Sequence, residues 1–160
     1  ELDDAFIGGK HKGKRGRGAG GKTPVIIGCE NRHKKAGFIA MEAVESVNFG
    51  TVKEFVQRHL LANQQVRTDA LSALNIVNKT QQHEPRVTPS EKVDEWLPWL
   101  HIAIGNLKAF LLGTFHGVKG KYLQEYLDEF CYRFNRRFVE KQIPNRLLNL
   151  AIIHAPLNST

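Results

Sequence analysis

The chain has 160 residues, of which 41% are hydrophobic and 24% charged, a balance typical of one globular domain with its own core. No apolar run is long enough for a transmembrane helix and no signal-peptide pattern opens the chain, so we expect no contact with a membrane. The formal net charge of +7 favours a polyanionic partner, because binding to phosphates releases condensed counterions. Because the first residue is Glu1 and not Met, we expect that an N-terminal part precedes it.

The two cysteines, Cys29 and Cys131, are far apart in the chain, and neither belongs to a CxxC motif. This spacing argues against a zinc finger in this segment. A disulfide between them stays open, but two lone thiols fit a reducing compartment at least as well. We therefore expect a cytoplasmic protein.

The first third of the chain predicts three antiparallel strands. Residues 1–7 predict a strand that runs into a Gly-Gly turn, and residues 24–29 and 37–42 predict two more strands joined by a turn at 31–35. Between the first two strands, residues 8–22 contain seven glycines and six lysines or arginines. Such a composition cannot bury a core, so it predicts a mobile basic loop.

The middle of the chain predicts one helix, one strand and a loop. Apolar residues at helical spacing predict a helix over residues 51–61. Residues 65–69 predict a short strand that ends at an aspartate. Residues 78–91 are polar and contain two prolines, so they predict a loop.

Two further helices are predicted in the last third. Pro98 suits the first turn of a helix that runs to Leu112 and stops at Gly113. A second helix is predicted over residues 119–140, with an apolar stripe formed by Leu123, Tyr126, Leu127, Phe130, Phe134 and Phe138. The order βββαβ followed by helices is one arrangement of a ribonuclease H-like domain.

Aspartates at strand positions are the candidates for catalytic chemistry. Phosphodiester chemistry with two metal ions needs carboxylates that converge from different elements, and Asp3 and Asp69 lie in the first and fourth predicted strands. Asp4 points to the opposite face from Asp3, so only one of the two can serve. Spacing alone does not decide which one, and aspartates at strand ends are also common turn formers.

Three segments carry a resemblance to a known family: ELDDAFIGGKHKGKRGRG, VRTDA and WLHIAIGNLKAFLLGTFHGVKGKYLQEYLDEFCYRFNRRF. They resemble the ISXO-two-like catalytic domain of bacterial DDE-type transposases from insertion sequence family 1595. The resemblance covers residues 1–28 and 64–139, and GTFHGV followed by LQEYLDEFCYRFNRR is its most specific part. It implies an α/β, ribonuclease H-like fold over residues 1–140, with flanking helices and a mixed sheet whose first three strands are antiparallel. We expect residues 141–160 to form a partly ordered C-terminal tail.

The resemblance also implies the catalytic residues. The opening motif, Glu-hydrophobic-Asp-acidic, places the first catalytic aspartate on Asp3, and the Thr-Asp pair places the second on Asp69. DDE enzymes carry a glutamate on a helix and a lysine or arginine seven residues later. The alignment puts His101 at the glutamate position and Lys108 at the basic position, so this chain departs from the usual DDE pattern at the third residue, a position where the resemblance implies Glu, Asn or His.

The helix geometry agrees with His101 as a ligand. Seven residues are two turns, about 10.5 Å along one helix face, so His101 and Lys108 line up beside the apolar stripe. Asn106 is the rival third ligand, although it lies on another side of the helix, and a lone histidine often has only a packing role. The implied cofactors are two divalent ions, Mg²⁺ or Mn²⁺, and an imidazole ligand favours Mn²⁺.

The implied activity is metal-dependent cleavage at transposon ends followed by strand transfer into target DNA. The partners are double-stranded DNA and further copies of the chain in the active complex. Lys108 is expected to hold a phosphate near the cut. The residues expected to contact the DNA backbone without reading sequence are Lys10, Lys12, Lys14, Arg15, Arg17, Arg133, Arg136 and Arg137.

Alternatives remain open for the basic residues and for the activity. The loop lysines and arginines also fit a solvated hairpin tip, and the late arginines also fit a helix end. A ribonuclease H-like nuclease that cuts without joining has the same catalytic residues. An inactive DNA-binding remnant of a transposase is a third hypothesis, because the third carboxylate is absent.

Overall fold

The structure is a computed structural model that describes residues 1–8, 22–89, 92–115 and 120–154. Five strands and five α-helices lie in these ranges, together with three short 3₁₀ segments. In chain order the elements are β1 (Leu2–Gly8), β2 (Lys22–Asn31), β3 (Ala36–Ala43), α1 (Phe49–His59), β4 (Gln65–Asp69), a 3₁₀ segment (Ser72–Lys79), β5 (Gln82–Arg86), α2 (Val93–Trp96), α3 (Pro98–Phe115), a 3₁₀ turn (Gly120–Tyr122), α4 (Leu123–Asn135), a 3₁₀ turn (Glu140–Gln142) and α5 (Ile143–Ile153).

The five strands form one mixed sheet in the order β3-β2-β1-β4-β5. The first three strands are antiparallel to one another, which confirms the predicted meander. β4 runs parallel to β1 and β5 runs parallel to β4. Helices flank the sheet, so the predicted α/β class with a mixed sheet is confirmed.

Alternation along the central strand β1 divides the core between the two faces of the sheet. Leu2 packs on one face, which we call the α1 face, with Ile26, Val52, Phe55, Val56, Val66, Ala73, Leu74 and Val77. Ala5 and Ile7 pack on the other, which we call the α3 face, with a larger set that includes Val25, Ile27, Leu97, Leu100, Ala103, Leu107, Leu123, Leu127 and Phe130. Each face of the sheet is therefore covered by helices.

The start of α1 is determined by local sequence. The Asn48 side chain accepts hydrogen bonds from the backbone nitrogens of Gly50 (2.8 Å) and Thr51 (3.1 Å). The Thr51 hydroxyl in turn accepts one from the backbone nitrogen of Asn48 (3.0 Å), which completes a capping box. The helix begins two residues earlier than the predicted range of 51–61 and ends at His59.

The predicted loop over residues 78–91 is wrong in its first half. Residues 72–79 form a 3₁₀ segment and β5 follows as an edge strand beside β4. This edge strand buries little side-chain surface, so its sequence lacks the apolar alternation that usually predicts a strand. It is stabilised by its backbone pairing with β4. Pro85 is tolerated there because an edge strand has one side without a ladder partner.

Two predicted helix ends are also corrected. α3 continues through Gly113 to Phe115, because a glycine inside a helix costs only about 1 kcal/mol and does not by itself end the helix. The helix predicted over 119–140 is a 3₁₀ turn and then α4, which ends at Asn135. Phe138, predicted on its apolar stripe, is 71% exposed.

The segment predicted as a C-terminal tail contains a helix, α5. Its apolar residues are exposed; Leu148 is 60% and Ile153 is 77% exposed. Among the described residues, no helix combines the length and the apolar character needed to cross a bilayer. The basic loop predicted over 8–22 lies outside the described residues except at its two ends, where Gly8 belongs to β1 and Lys22 to β2.

Candidate functional site

The sheet register places Asp3 and Asp69 beside each other. Leu2 of β1 pairs with Thr68 of the parallel strand β4, and each aspartate is the next residue along its strand. Neighbouring strands lie about 4.8 Å apart, and residues in register on parallel strands point to the same face. Asp3 alternates with Leu2 and shares the α3 face with Ala5, whereas Asp4 points to the α1 face. The predicted opposition of Asp3 and Asp4 is therefore confirmed.

Both aspartates are half-buried and are oriented by local hydrogen bonds. The backbone nitrogen of Asp4 donates to Oδ1 of Asp3 (2.8 Å). The backbone nitrogen of Leu71 donates to Oδ1 of Asp69 (3.0 Å), which forms a turn at the end of β4. In both cases the bond comes from a residue close in sequence, so the strand and the turn that follow each aspartate set its orientation.

The end of α2 and the first turn of α3 are each bonded to the sheet within two residues of an aspartate. The Trp96 indole nitrogen donates to the backbone oxygen of Thr68 (2.8 Å), and Thr68 directly precedes Asp69. The backbone nitrogen of Leu100 donates to Oε2 of Glu1 (2.7 Å), and Glu1 lies two residues before Asp3. His101 follows Leu100, so it lies in the turn of α3 that is bonded to Glu1, at the start of β1.

His101 carries a buried nitrogen that has no partner. Its ring is half-buried, and Nε2 has no hydrogen-bond partner among the residues that the structure describes. An unsatisfied buried polar atom costs about 1–3 kcal/mol, and proteins often retain such an atom where it has a catalytic role or binds an ion. Nε2 of a neutral imidazole is also a common metal ligand.

Asp3, Asp69 and His101 have the right chemistry to bind a divalent ion, but their side chains are not close enough together to do so. Two carboxylates side by side and one imidazole nitrogen without a partner are suitable ligands for Mn²⁺ or, less well, Mg²⁺. In residues 1–8, 22–89, 92–115 and 120–154, no group of three His, Cys, Asp or Glu side chains lies close enough together to hold a metal ion. Ion binding by Asp3, Asp69 and His101 therefore needs side-chain movement.

The other helix residues follow the predicted pattern. Leu100, Ala103, Ile104, Leu107 and Leu111 are buried, which confirms the predicted apolar stripe of α3. Lys108 is exposed on the side of the helix that carries His101. Asn106, the rival third ligand, is also exposed.

The predicted DNA-contacting arginines differ in their surroundings. Arg133 is exposed and forms an ion pair with Glu129 (3.6 Å), and the Arg136 guanidinium lies 3.8 Å from the centre of the Tyr132 ring. Arg137 donates to the backbone oxygens of Phe134 (2.8 Å), Gly37 (3.4 Å) and Ala36. Burial lowers the pKa of Arg137. The predicted loop contacts Lys10, Lys12, Lys14, Arg15 and Arg17 lie outside the described residues.

Sequence reasoning missed a second histidine near the aspartates. His83 of β5 hydrogen-bonds through Nε2 to the buried hydroxyl of Thr68 (2.7 Å) and through Nδ1 to Oδ1 of Asn78 (2.9 Å). Desolvation lowers the pKa of His83. The sequence gives no signal for it, because its polar segment lacks the apolar alternation of a strand and predicts a loop.

A cleft of about 830 Å³ lies beside this region. It is formed where β2 and α1 end and where β3 and β4 begin, and Glu1 and Arg67 are among its lining residues. Neither aspartate lines it. The cleft is therefore adjacent to the candidate site and distinct from it.

Comparison with known proteins identifies the family. The family model described as the ISXO2-like transposase domain matches residues 1–135. The chain belongs to this family. Membership confirms the predicted resemblance and indicates a transposase-type enzyme that acts on DNA, and DDE transposases generally use divalent metal ions. No curated protein matches the chain, and no solved structure matches it.

Proposed function

We propose that this ISXO2-like domain is the catalytic domain of a DDE-type transposase that cleaves DNA at transposon ends and joins them to target DNA. The observation that carries the proposal is the register of β1 and β4. It supports a shared site for Asp3 and Asp69 on the α3 face. The unpartnered Nε2 of His101, in the turn of α3 that is bonded to Glu1 at the start of β1, supplies a third donor.

The fold that we propose is ribonuclease H-like. Its support is the chain order of three antiparallel strands, a helix and a parallel strand, with β1 at the centre of the sheet. We assign residues 1–140 to the catalytic domain and 141–160 to a C-terminal extension. In this arrangement the aspartates lie on the central strand and its parallel neighbour, where helices on the α3 face exclude water from one side.

We assign Asp3, Asp69 and His101 as the ligands of two divalent ions. Bound ions of this kind activate the attacking oxygen and stabilise the leaving oxygen of an in-line displacement at phosphorus. The two carboxylates offset part of the positive charge of the ions, and the imidazole nitrogen gains the partner that it lacks. Because imidazole suits softer ions than Mg²⁺, we expect higher activity with Mn²⁺.

Lys108 and the basic residues are assigned to DNA. Lys108 is exposed on the side of α3 that carries His101, so its ammonium group can bind a phosphate near the reacting one. Arg133, Arg136, Arg137 and the lysines and arginines of residues 10–17 are proposed to contact the backbone of double-stranded DNA. Two DNA ends must be held together for joining, so we also propose that the active complex contains several copies of the chain.

A strand-transfer assay tests the proposal. The protein is incubated with Mn²⁺, a target duplex and either intact or pre-cut transposon ends. We expect cutting of the intact ends and joining of the pre-cut ends, and we expect Asp3→Asn to abolish both. Cutting without joining identifies the nuclease alternative.

A DNA-binding remnant is the second candidate, and two observations favour it. His101 stands where the usual DDE pattern has a glutamate, and the described residues contain no assembled three-residue metal group. In this case DNA binding is unchanged in Asp3→Asn and Asp69→Asn, and neither cutting nor joining occurs in the unmodified protein.

A further inference from the structure

The Glu1 carboxylate connects the sheet to α3. Its Oε1 accepts a hydrogen bond from Nδ2 of Asn31, at the end of β2 (2.8 Å). Its Oε2 accepts one from the backbone nitrogen of Leu100, in the first turn of α3 (2.7 Å). One side chain therefore bonds two elements that are distant in sequence.

Glu1 itself is held firmly. Its backbone oxygen accepts from the nitrogen of Cys29 (2.8 Å), and its backbone nitrogen donates to the oxygen of Cys29 (2.9 Å). Alternation along the chain places Glu1 and Asp3 on the same face of the sheet. The carboxylate is thus a fixed point two residues from the first catalytic aspartate.

The bond to Leu100 fixes the start of α3. The first amides of a helix have no partner within the helix, and a carboxylate near them is favourable because of the helix dipole. α3 has no acidic residue in its own first turn, so Glu1 supplies this partner from another element. Since His101 is the next residue, the bond restricts how far its ring lies from the aspartates.

We propose that Glu1 is a positioning residue, which holds the first turn of α3 so that the His101 imidazole reaches the ions bound by Asp3 and Asp69. The inference rests on the proposed function. It gives the opening glutamate of the Glu-hydrophobic-Asp-acidic motif a role distinct from that of a metal ligand. Both of its oxygens already accept hydrogen bonds from the protein.

A double-mutant cycle with Mn²⁺ as the probe tests the coupling between Glu1 and His101. Mn²⁺ affinity is measured by calorimetry for the full chain and for Glu1→Ala, His101→Ala and the double variant. Residues that orient a metal ligand typically contribute about 10- to 100-fold in affinity, so we expect Glu1→Ala to weaken binding by about tenfold. In the His101→Ala background, we expect Glu1→Ala to have no further effect.

Two outcomes overturn the inference while the proposed function stands. An unchanged affinity in Glu1→Ala shows that the hydrogen bond to Leu100 does not matter for the ion. An equal loss in both backgrounds shows that Glu1 acts independently of His101, as a ligand would. If the unmodified chain does not bind Mn²⁺ at all, the proposed function and this inference both fail.

Two further variants control for folding. Glu1→Gln keeps an oxygen that can accept from Leu100, so we expect a smaller loss of affinity than in Glu1→Ala. Glu30→Ala removes a comparable bond, from the backbone nitrogen of Phe38 to Oε2 of Glu30 (2.9 Å), at a place away from α3. We expect it to leave Mn²⁺ affinity unchanged. Hydrogen exchange should be faster at the Leu100 amide in Glu1→Ala and unchanged there in Glu30→Ala; equal rates in both contradict the proposed contact.

Discussion

The two faces of the sheet differ in the hydrogen bonding of the histidine that each one carries. On the α1 face, both ring nitrogens of His83 are hydrogen-bonded, to Thr68 and Asn78. On the α3 face, Nε2 of His101 is buried without a partner among the described residues. His83 bonds Thr68 near the end of β4, and His101 follows Leu100, whose backbone nitrogen is bonded to Glu1. The same residue type therefore has two different environments.

This difference separates stability from activity. A buried polar group with its partners contributes to a unique fold, whereas one without partners costs free energy that a bound ion can offset. We therefore expect the α1 face to support the strand that carries Asp69, and we propose that the α3 face supplies the reacting groups. Variants on either face test this division.

The largest expected effect is the loss of cleavage activity when an aspartate on the α3 face is replaced. Asp3→Asn or Asp69→Asn should lower cleavage by roughly a thousandfold, because several kcal/mol of charge stabilisation by the ions is lost. Asp4→Asn is the matched control, since Asp4 lies on the α1 face, and its rate should stay close to that of the unmodified protein. Rates are measured with a labelled transposon end under single-turnover conditions. Equal losses in Asp3→Asn and Asp4→Asn contradict the assignment of faces.

The second prediction compares the effects of replacing His101 and His83 by alanine. His101→Ala should lower the cleavage rate by about a hundredfold, less than the aspartate variants because a neutral imidazole stabilises less charge. Its free energy of unfolding should change little, since an unsatisfied nitrogen is removed. His83→Ala should instead lower the free energy of unfolding by about 1–2 kcal/mol and leave the rate per folded molecule unchanged. Urea denaturation and the cleavage assay measure both, and the reverse pattern refutes the comparison.

The third prediction concerns the arginines at the end of α4. Arg133→Ala and Arg136→Ala should weaken DNA binding a few-fold, and each should reduce the slope of log affinity against log salt by about 1. Arg137→Ala should also lower the free energy of unfolding, because its guanidinium bonds the backbone of β3 and α4. Fluorescence anisotropy at several salt concentrations measures the slopes. If the slopes do not change in the Arg133 and Arg136 variants, these residues do not contact DNA.

The smallest expected effect is a pH dependence on the α1 face. Burial lowers the pKa of His83 in the folded chain, so the unfolded chain, with a histidine pKa of about 6.5, binds a proton more readily. The stabilising contribution is present above pH 6.5 and is lost as the pH falls through 6.5 towards the folded pKa. The free energy of unfolding should therefore fall more between pH 7.5 and 5.5 in the unmodified chain than in His83→Ala. If the free energy of unfolding falls equally in the two proteins, His83 is not the cause of the pH dependence.

Most of the fold followed from the sequence because its signals are local. The strands that bury apolar side chains, the helix capped by Asn48 and the apolar stripe of α3 each carry a periodic pattern. β5 does not, since it is a polar edge strand stabilised by backbone pairing. The end of α4 depends on bonds from Arg137 to β3, which no local pattern reveals.

The candidate site was only partly predictable. Alternation separates Asp3 from Asp4, and the family motif chooses between them, but the pairing of Leu2 with Thr68 depends on the whole sheet. The bond from Leu100 to Glu1 and the buried Nε2 of His101 depend on how α3 packs over that sheet. Contacts of this kind join residues about a hundred positions apart, where spacing carries no information.

The proposed metal site is best tested by a crystal structure of the protein soaked in Mn²⁺, with anomalous scattering used to locate the ions. We expect anomalous density between Asp3 and Asp69, with Nε2 of His101 as a ligand of one ion at a distance of about 2.0–2.3 Å, typical of a divalent metal bound to imidazole. Density that is absent at saturating Mn²⁺, or that lies away from both aspartates while Nε2 stays unbound, contradicts the assignment of these three residues as ligands.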